Sequence, residues 1–188
     1  MMLVVTLPLT AHKTRPTFGK EYSYPETFIS LGEVANPSIK VWSTDIAFEK
    51  ATFTFEKSAY TVIVPSVSGN LSVPEKLSTT SQKGEERQEA KITVPVNVRA
   101  NGEYLIDWKA DLLVDDKVVK TVSGTLSVLA QNSHIWIGGD SIDLAYVECL
   151  KMQLGIKGTP SGNALKQLNE KWAEWIEKRQ IITNQKNN

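Results

Sequence analysis

Apolar residues recur at even-numbered spacings through the middle of this chain. Ile92, Val94, Val96 and Val98 form one such series. Tyr104, Ile106, Trp108, Ala110 and Leu112 form a second, and Val118, Val122, Leu126 and Val128 a third. A period of two with polar residues between puts the apolar side chains on one face of each strand, as in antiparallel sheets with one solvated face. "SIKVW", "KATFTFE", "YTVIV", "GNLSV", "AKITVPVNV", "EYLIDWKADLLV" and "KVVKTVSGTLSVL" make about seven β-rich runs bounded by turn residues. Within residues 37–130 that is the size of an immunoglobulin-like antiparallel sandwich, and the fold class is mainly β. Asp115-Asp116 stands where a tight hairpin needs residues that tolerate unusual backbone angles. Asn101-Gly102 is the strongest short hairpin signal. The polar stretch "STTSQKGEERQEA", 78–90, reads as a solvated, mobile loop.

Beyond residue 139 the period changes. Apolar residues at 142, 145, 146, 149, 150 and 154 give "DSIDLAYVECLKMQLG" one broad buried face, and Gly155 stands where a helix ends. Thr159-Pro160 suits the cap and first position of a second helix. Leu165, Leu168, Trp172, Trp175 and Ile176 form its apolar stripe. At the other end, Pro8, Pro16 and Pro25 interrupt any regular period. The chain therefore divides into an extended N-terminal arm (1–36), the sandwich (37–130) and a C-terminal helical segment (131–188), with helices near 140–154 and 160–180. The arm carries too many apolar residues for a disordered tail, so it is expected to lie on its own domain or a neighbour.

Charge and composition narrow the chemistry. Lys and Arg number 21, as do Asp and Glu, and the zero balance argues against nucleic acid or an anionic membrane as partner. No apolar run approaches the roughly 20 residues of a membrane span. One cysteine, Cys149, rules out an intrachain disulfide and a Cys-rich zinc site. "MMLVVTLPLTAHK" lacks a basic leader, and Pro8 breaks its apolar run, so it does not read as a cleaved signal.

"IGGDSID" resembles the first block of GDS-type hydrolases, in which a strand delivers a nucleophilic serine to a helix start. That resemblance would make Ser141 catalytic. A serine hydroxyl needs a base, yet His12 and His134 are the only imidazoles and both precede it. Capping of the helix by Asp140 or Ser141 accounts for the same residues. No metal set is expected, because His12, His134 and Cys149 are far apart in sequence; Asp115-Asp116 reads as a solvated turn. "GIKGTPSG" lacks the lysine of a phosphate loop, and "NLS" at Asn70 is a formal glycosylation acceptor. The expectation is no catalytic residue, no metal and no cofactor.

Binding or building remains. The tryptophan stripe either docks on its own domain or faces a partner. The expected partner contacts are Phe18, Tyr22, Tyr24 and Phe28 in the arm, with Leu165, Leu168, Trp172, Trp175 and Ile176 in the second helix. "PSIKVWSTD", "KATFTFEKSAYTVIVPSVSGNLSVPEK" and "VNVRANGEYLIDWKADL" resemble the Ig-like region of tailed-bacteriophage virion proteins, over roughly residues 37–155. Some of those place a helical segment after the sandwich, at the head–tail junction. The resemblance implies a non-enzymatic structural or adaptor protein of a virion, assembled in the host cytoplasm from this and other protein subunits. The alternative is an Ig-like binding module of the cell envelope.

Overall fold

The computed structural model describes residues 16–24, 31–59, 70–131, 134–140 and 142–186. His12, Phe28, Ser141 and the run "YTVIV" lie outside these residues, as does the side chain of Ile176. The strands are β1 (Phe18–Ser23), β2 (Val34–Ala35), β3 (Ser38–Ser43), β4 (Lys50–Ala59), β5 (Leu71–Ser72) and β6 (Lys76–Thr80). They continue with β7 (Gln82–Lys83), β8 (Gln88–Thr93), β9 (Val96–Val98), β10 (Gly102–Val114), β11 (Lys117–Gln131) and β12 (His134–Gly139). The helices are α1 (Ile142–Gln153) and α2 (Gly162–Lys186).

One sheet runs β1-β3-β8-β7 and a second runs β12-β11-β10-β4-β6, every neighbouring pair antiparallel. Lettered in chain order, the first is A-B-E-D. The second is G-F-C-C′ with one added strand beyond G. That is the immunoglobulin plan. A small third sheet, β2-β9-β5, closes one end. The alternation seen in sequence fills the space between the two large sheets. Tyr104, Ile106, Trp108, Ala110 and Leu112 of β10 are buried against Ile39 and Val41 of β3 and Ala90 and Ile92 of β8. At the start of β10 the Tyr104 hydroxyl donates to the Ala100 carbonyl, 3.0 Å away. This is the tyrosine corner of Ig-type domains, a ring in the core whose hydroxyl ties down the chain just upstream.

The strands are more numerous than seven, and several boundaries move. The stretch read as an arm contributes β1, paired with β3 from Phe18↔Ser43 to Ser23↔Ser38, and β2, paired with β9. Prolines flank β1 but none falls inside it, and an edge strand needs partners on one side only. The stretch 78–90 is strand, turn and strand: β6, β7 and the start of β8 joined through Gly84, whose N–H donates to the Arg87 carbonyl. The polar residues of β6 and β7 sit on edge strands, where charge deters stray pairing. Asn101-Gly102 is not a hairpin, because β9 and β10 belong to different sheets; it turns the chain from one sheet to the other. Asp115 and Asp116 do close the β10–β11 hairpin, both left-handed at φ 48° and 58°. The second large sheet passes residue 130 to include β12, which pairs only with Leu126–Gln131 of β11. Gly155 ends α1 in the left-handed conformation, at φ 67°, with the Ile156 N–H donating to the Lys151 carbonyl. The second helix begins at Gly162, past Thr159-Pro160.

Candidate functional site

Alternation along β1 gives it two faces with different tasks. Gly19 and Glu21 look outward. A side chain at Gly19 would collide with the Trp42 ring, which Arg87 covers from above at 4.6 Å. Arg87 also pairs with Glu21 and, at 3.3 Å, with Glu89, while Lys40 reaches Glu21 at 3.2 Å. The Arg87 guanidinium holds the Glu21 carboxyl below the usual carboxylate range. These pairs are half-solvated, so each is worth no more than about 1 kcal/mol.

Phe18, Lys20, Tyr22 and Tyr24 share the other face and reach across the mouth of the sandwich toward the second sheet. Three donors converge there on one oxygen. Asp140 Oδ1 accepts from Lys20 Nζ at 2.9 Å, from the Tyr22 hydroxyl at 2.9 Å and from the Thr125 backbone N–H at 3.1 Å. Lys20 Nζ also donates to the Ser123 carbonyl at 2.7 Å, and the Asp140 N–H donates to the Thr125 carbonyl. Asp140 is left-handed at φ 57°, directly after β12. Tyr22 stacks on Tyr24 with centroids 6.1 Å apart and meets Trp108 edge-on at 6.1 Å. The rings come this close because Gly124 and Gly139 lie beneath them. A Cβ at Gly124 would stand 2.7 Å from Trp108 Cζ2 and inside the Tyr22 hydroxyl. One at Gly139 would enter the Tyr24 hydroxyl and the Tyr22 ring.

The charges at this seam follow from its geometry. Burial pushes the Asp140 carboxyl up, but Lys20, the Thr125 N–H and the Tyr22 hydroxyl outweigh burial and hold it below the ordinary aspartate value. Its stabilising share is therefore full above the ordinary aspartate range and is lost as pH falls through the lowered value. Burial first, and then Asp140, pushes the Tyr22 phenol far above its ordinary value; Tyr24 is raised by burial and by the Asp140 charge. Their share is full below about pH 10, where the unfolded phenols begin to ionise, and is lost as pH rises above it. The urea midpoint should accordingly fall between pH 8 and pH 10.5. The fall should be smaller in Tyr22→Phe, which has one phenol fewer to ionise when unfolded. An equal fall in both proteins would show that the seam tyrosine does not govern the alkaline limb.

The helical layer lies on the other face of the second sheet. There α1 packs against β11 and β12, and α2 packs against α1. Leu129, Trp136, Leu150, Leu168 and Trp175 are buried without joining the inter-sheet core. Trp172 is half-buried and stacked on Trp175, centroids 5.1 Å apart. Of the expected partner contacts, Leu168 and Trp175 are thus covered by the chain itself, at 6% and 2% exposure. Tyr22 and Tyr24 pack against the sandwich core. Phe18 and Leu165 remain open, at 41% and 40%. The structure does not bring all these residues to one surface.

Other apolar side chains are open near the β10–β11 turn. Val118 and Val119, beside the β10–β11 turn, are 55% and 43% exposed. Lys120 follows them and sets its ammonium 4.2 Å from the centre of the Phe18 ring. The β3–β4 loop comes to the same end, where the Glu49 N–H donates to the Leu113 carbonyl and the Asp115 N–H to Glu49 Oε2. A groove of about 370 Å³ separates that loop, Ser43–Ala47, from the Lys83–Gln88 turn. The spacing puts Val118 on the core face with Val122, but the register shifts between them, opposite Leu112/Leu113, and leaves Val118 exposed; sequence reasoning missed Val119 and Lys20. A pair of adjacent valines in a strand of period two was the one visible signal, since one of the two must leave the core face. Of the two capping candidates, Ser141 lies outside the described residues, and Asp140 turns its Oδ1 to β1 and β11. Among the described residues, no group of three His, Cys, Asp or Glu side chains is placed to hold a metal, and no helix is long and apolar enough to cross a membrane.

No family model and no curated protein matches the chain. Among solved structures it is similar to the ASH/PapD-like domain of human CEP192 (PapD-like domain 7), at 14% identity and a TM-score of 0.37. That match covers 68% of this chain and 95% of the domain. The immunoglobulin plan rests on this chain's own strand order and on Tyr104.

Proposed function

We propose that the chain is a non-enzymatic structural or adaptor subunit of a macromolecular assembly, and that the assembly is the virion of a tailed bacteriophage, built in the host cytoplasm. The observation that carries this is the exposure of large apolar side chains near one end of the sandwich. Phe18 lies against Lys120, Val118 and Val119 precede Lys120 on the same strand, and a groove between two loops adjoins β1 at Ser43, the ladder partner of Phe18. Ig-type sandwiches bind through loops clustered at an end, and apolar surface exposed there marks contact with another protein. The likeness of residues 37–155 to virion Ig-like regions supplies the context. Leu165 on α2 offers a second, smaller contact.

Mass spectrometry of density-purified particles from the source tests this. Peptides of the chain are expected at a fixed ratio to the major capsid protein. Phe18→Ser with Val118→Asp is expected to lower that ratio about tenfold, the effect of removing central apolar contacts, with thermal melting of the isolated chain unchanged. Infectious particles that lack the chain would overturn the proposal.

A further inference from the structure

β1 belongs to one sheet by its backbone and to the other by its side chains. Its ladder partner is β3, yet Lys20 and Tyr22 end on Asp140 and Ser123. Asp140 is the last described residue before α1, and its backbone N–H and Oδ1 both engage Thr125. An aspartate in the left-handed region is tolerated there because its surroundings hold it. Three of the groups that hold its carboxylate oxygen are Lys20, Tyr22 and the Thr125 N–H, and two of the three come from β1. The same residue therefore fixes where the chain leaves β12, two positions before α1.

From this geometry we infer that β1 is a strap. Its grip on Asp140 holds the end of β12, against which α1 packs, so that release of the N-terminal strand loosens the helical layer while the rest of the sandwich stays folded. The parts fit such a device. The strap is an edge strand, so detaching it breaks one ladder and leaves β3 paired with β8. The strands on which the core depends, β4, β10 and β11, exchange no ladder bonds with it. The helical layer has its own buried set, Leu129, Trp136, Leu150, Leu168 and Trp175, which can open without breaching the inter-sheet core. Coupling of this kind is reciprocal. Whatever loosens the end of β12 must also loosen the strap.

Hydrogen exchange on the full chain tests both directions. Lys20→Met with Tyr22→Phe removes two of the three donors and leaves Asp140 in place. Exchange in residues 134–153 is expected to rise about tenfold or more, the scale of losing hydrogen bonds to a charged group, with β4 and β10 unchanged. Asp140→Gly keeps the left-handed backbone and removes the acceptor. It is expected to speed exchange in residues 16–24 by a similar factor. Thr121→Val, which breaks a bond to Asp111 on the same sheet, serves as the control and should do neither. Acceleration confined to 16–24 in the first variant would make β1 a passive edge and overturn the inference. So would an even acceleration across every strand, or protection of 16–24 that survives Asp140→Gly.

Discussion

Trp175→Ala is expected to cost about 3–5 kcal/mol, the range for truncating a fully buried aromatic. The indole is 2% exposed, stacked on Trp172 and part of the buried set between sheet and helices. The loss should fall on the helical layer. Exchange in α2 and α1 should become fast, while β10, anchored by Tyr104 and Trp108 on the opposite face of the sheet, keeps its protection. Leu165→Ala, ten residues earlier on the same helix, should change stability by less than about 0.5 kcal/mol, because that side chain already meets water. Equal effects from the two substitutions would mean that α2 does not dock through Trp175. Simultaneous loss of protection in α2 and β10 would show that the layer and the sandwich unfold as one unit.

Gly139→Ala carries the second large effect, about 2–3 kcal/mol from forcing a methyl group into filled space. The position is not strained in backbone; the cost is steric. The new carbon would meet the Tyr24 hydroxyl and, at Cγ and Cδ2, the part of the Tyr22 ring nearest its own main chain. Rotating the ring cannot clear those atoms, so β1 itself must lift. Urea denaturation of a double-mutant cycle with Tyr22→Ala checks this. Removing the ring first should make the glycine substitution cheaper by at least about 1 kcal/mol. Strict additivity would place the clash elsewhere.

The sequence made the inter-sheet core legible and left the seam hidden, for one physical reason. Alternation along Tyr104–Leu112 reports burial on one face of one strand, a local property readable from spacing. It led directly to the sandwich. Lys20 and Asp140 stand 120 positions apart, and no spacing rule joins them. Turn chemistry has the same limit. Asp115-Asp116 and Asn101-Gly102 both mark reversals, but a turn residue fixes a bend and not which strands the bend connects. The first pair joins sheet neighbours; the second crosses between sheets. The stretch 78–90 was missed because edge strands need apolar residues least. The expected partner stripe on α2 was split because a helical period names a buried face without naming what buries it: α1 covers part of it, and Leu165 is left outside.

The added strand β12 leaves a step in the sheet. It pairs with β11 only from Leu126 onward, so between Lys117 and Thr121 the outer side of β11 carries no strand among the described residues. Two adjacent exposed valines lie on that open ladder, a template on which another extended chain can stack. Lys117 and Lys120 bracket them, and an approaching copy would have to bring its own pair of ammonium groups alongside. Those two lysines are expected to discourage edge-to-edge stacking. A modification that neutralised both is expected to make the chain more prone to precipitate.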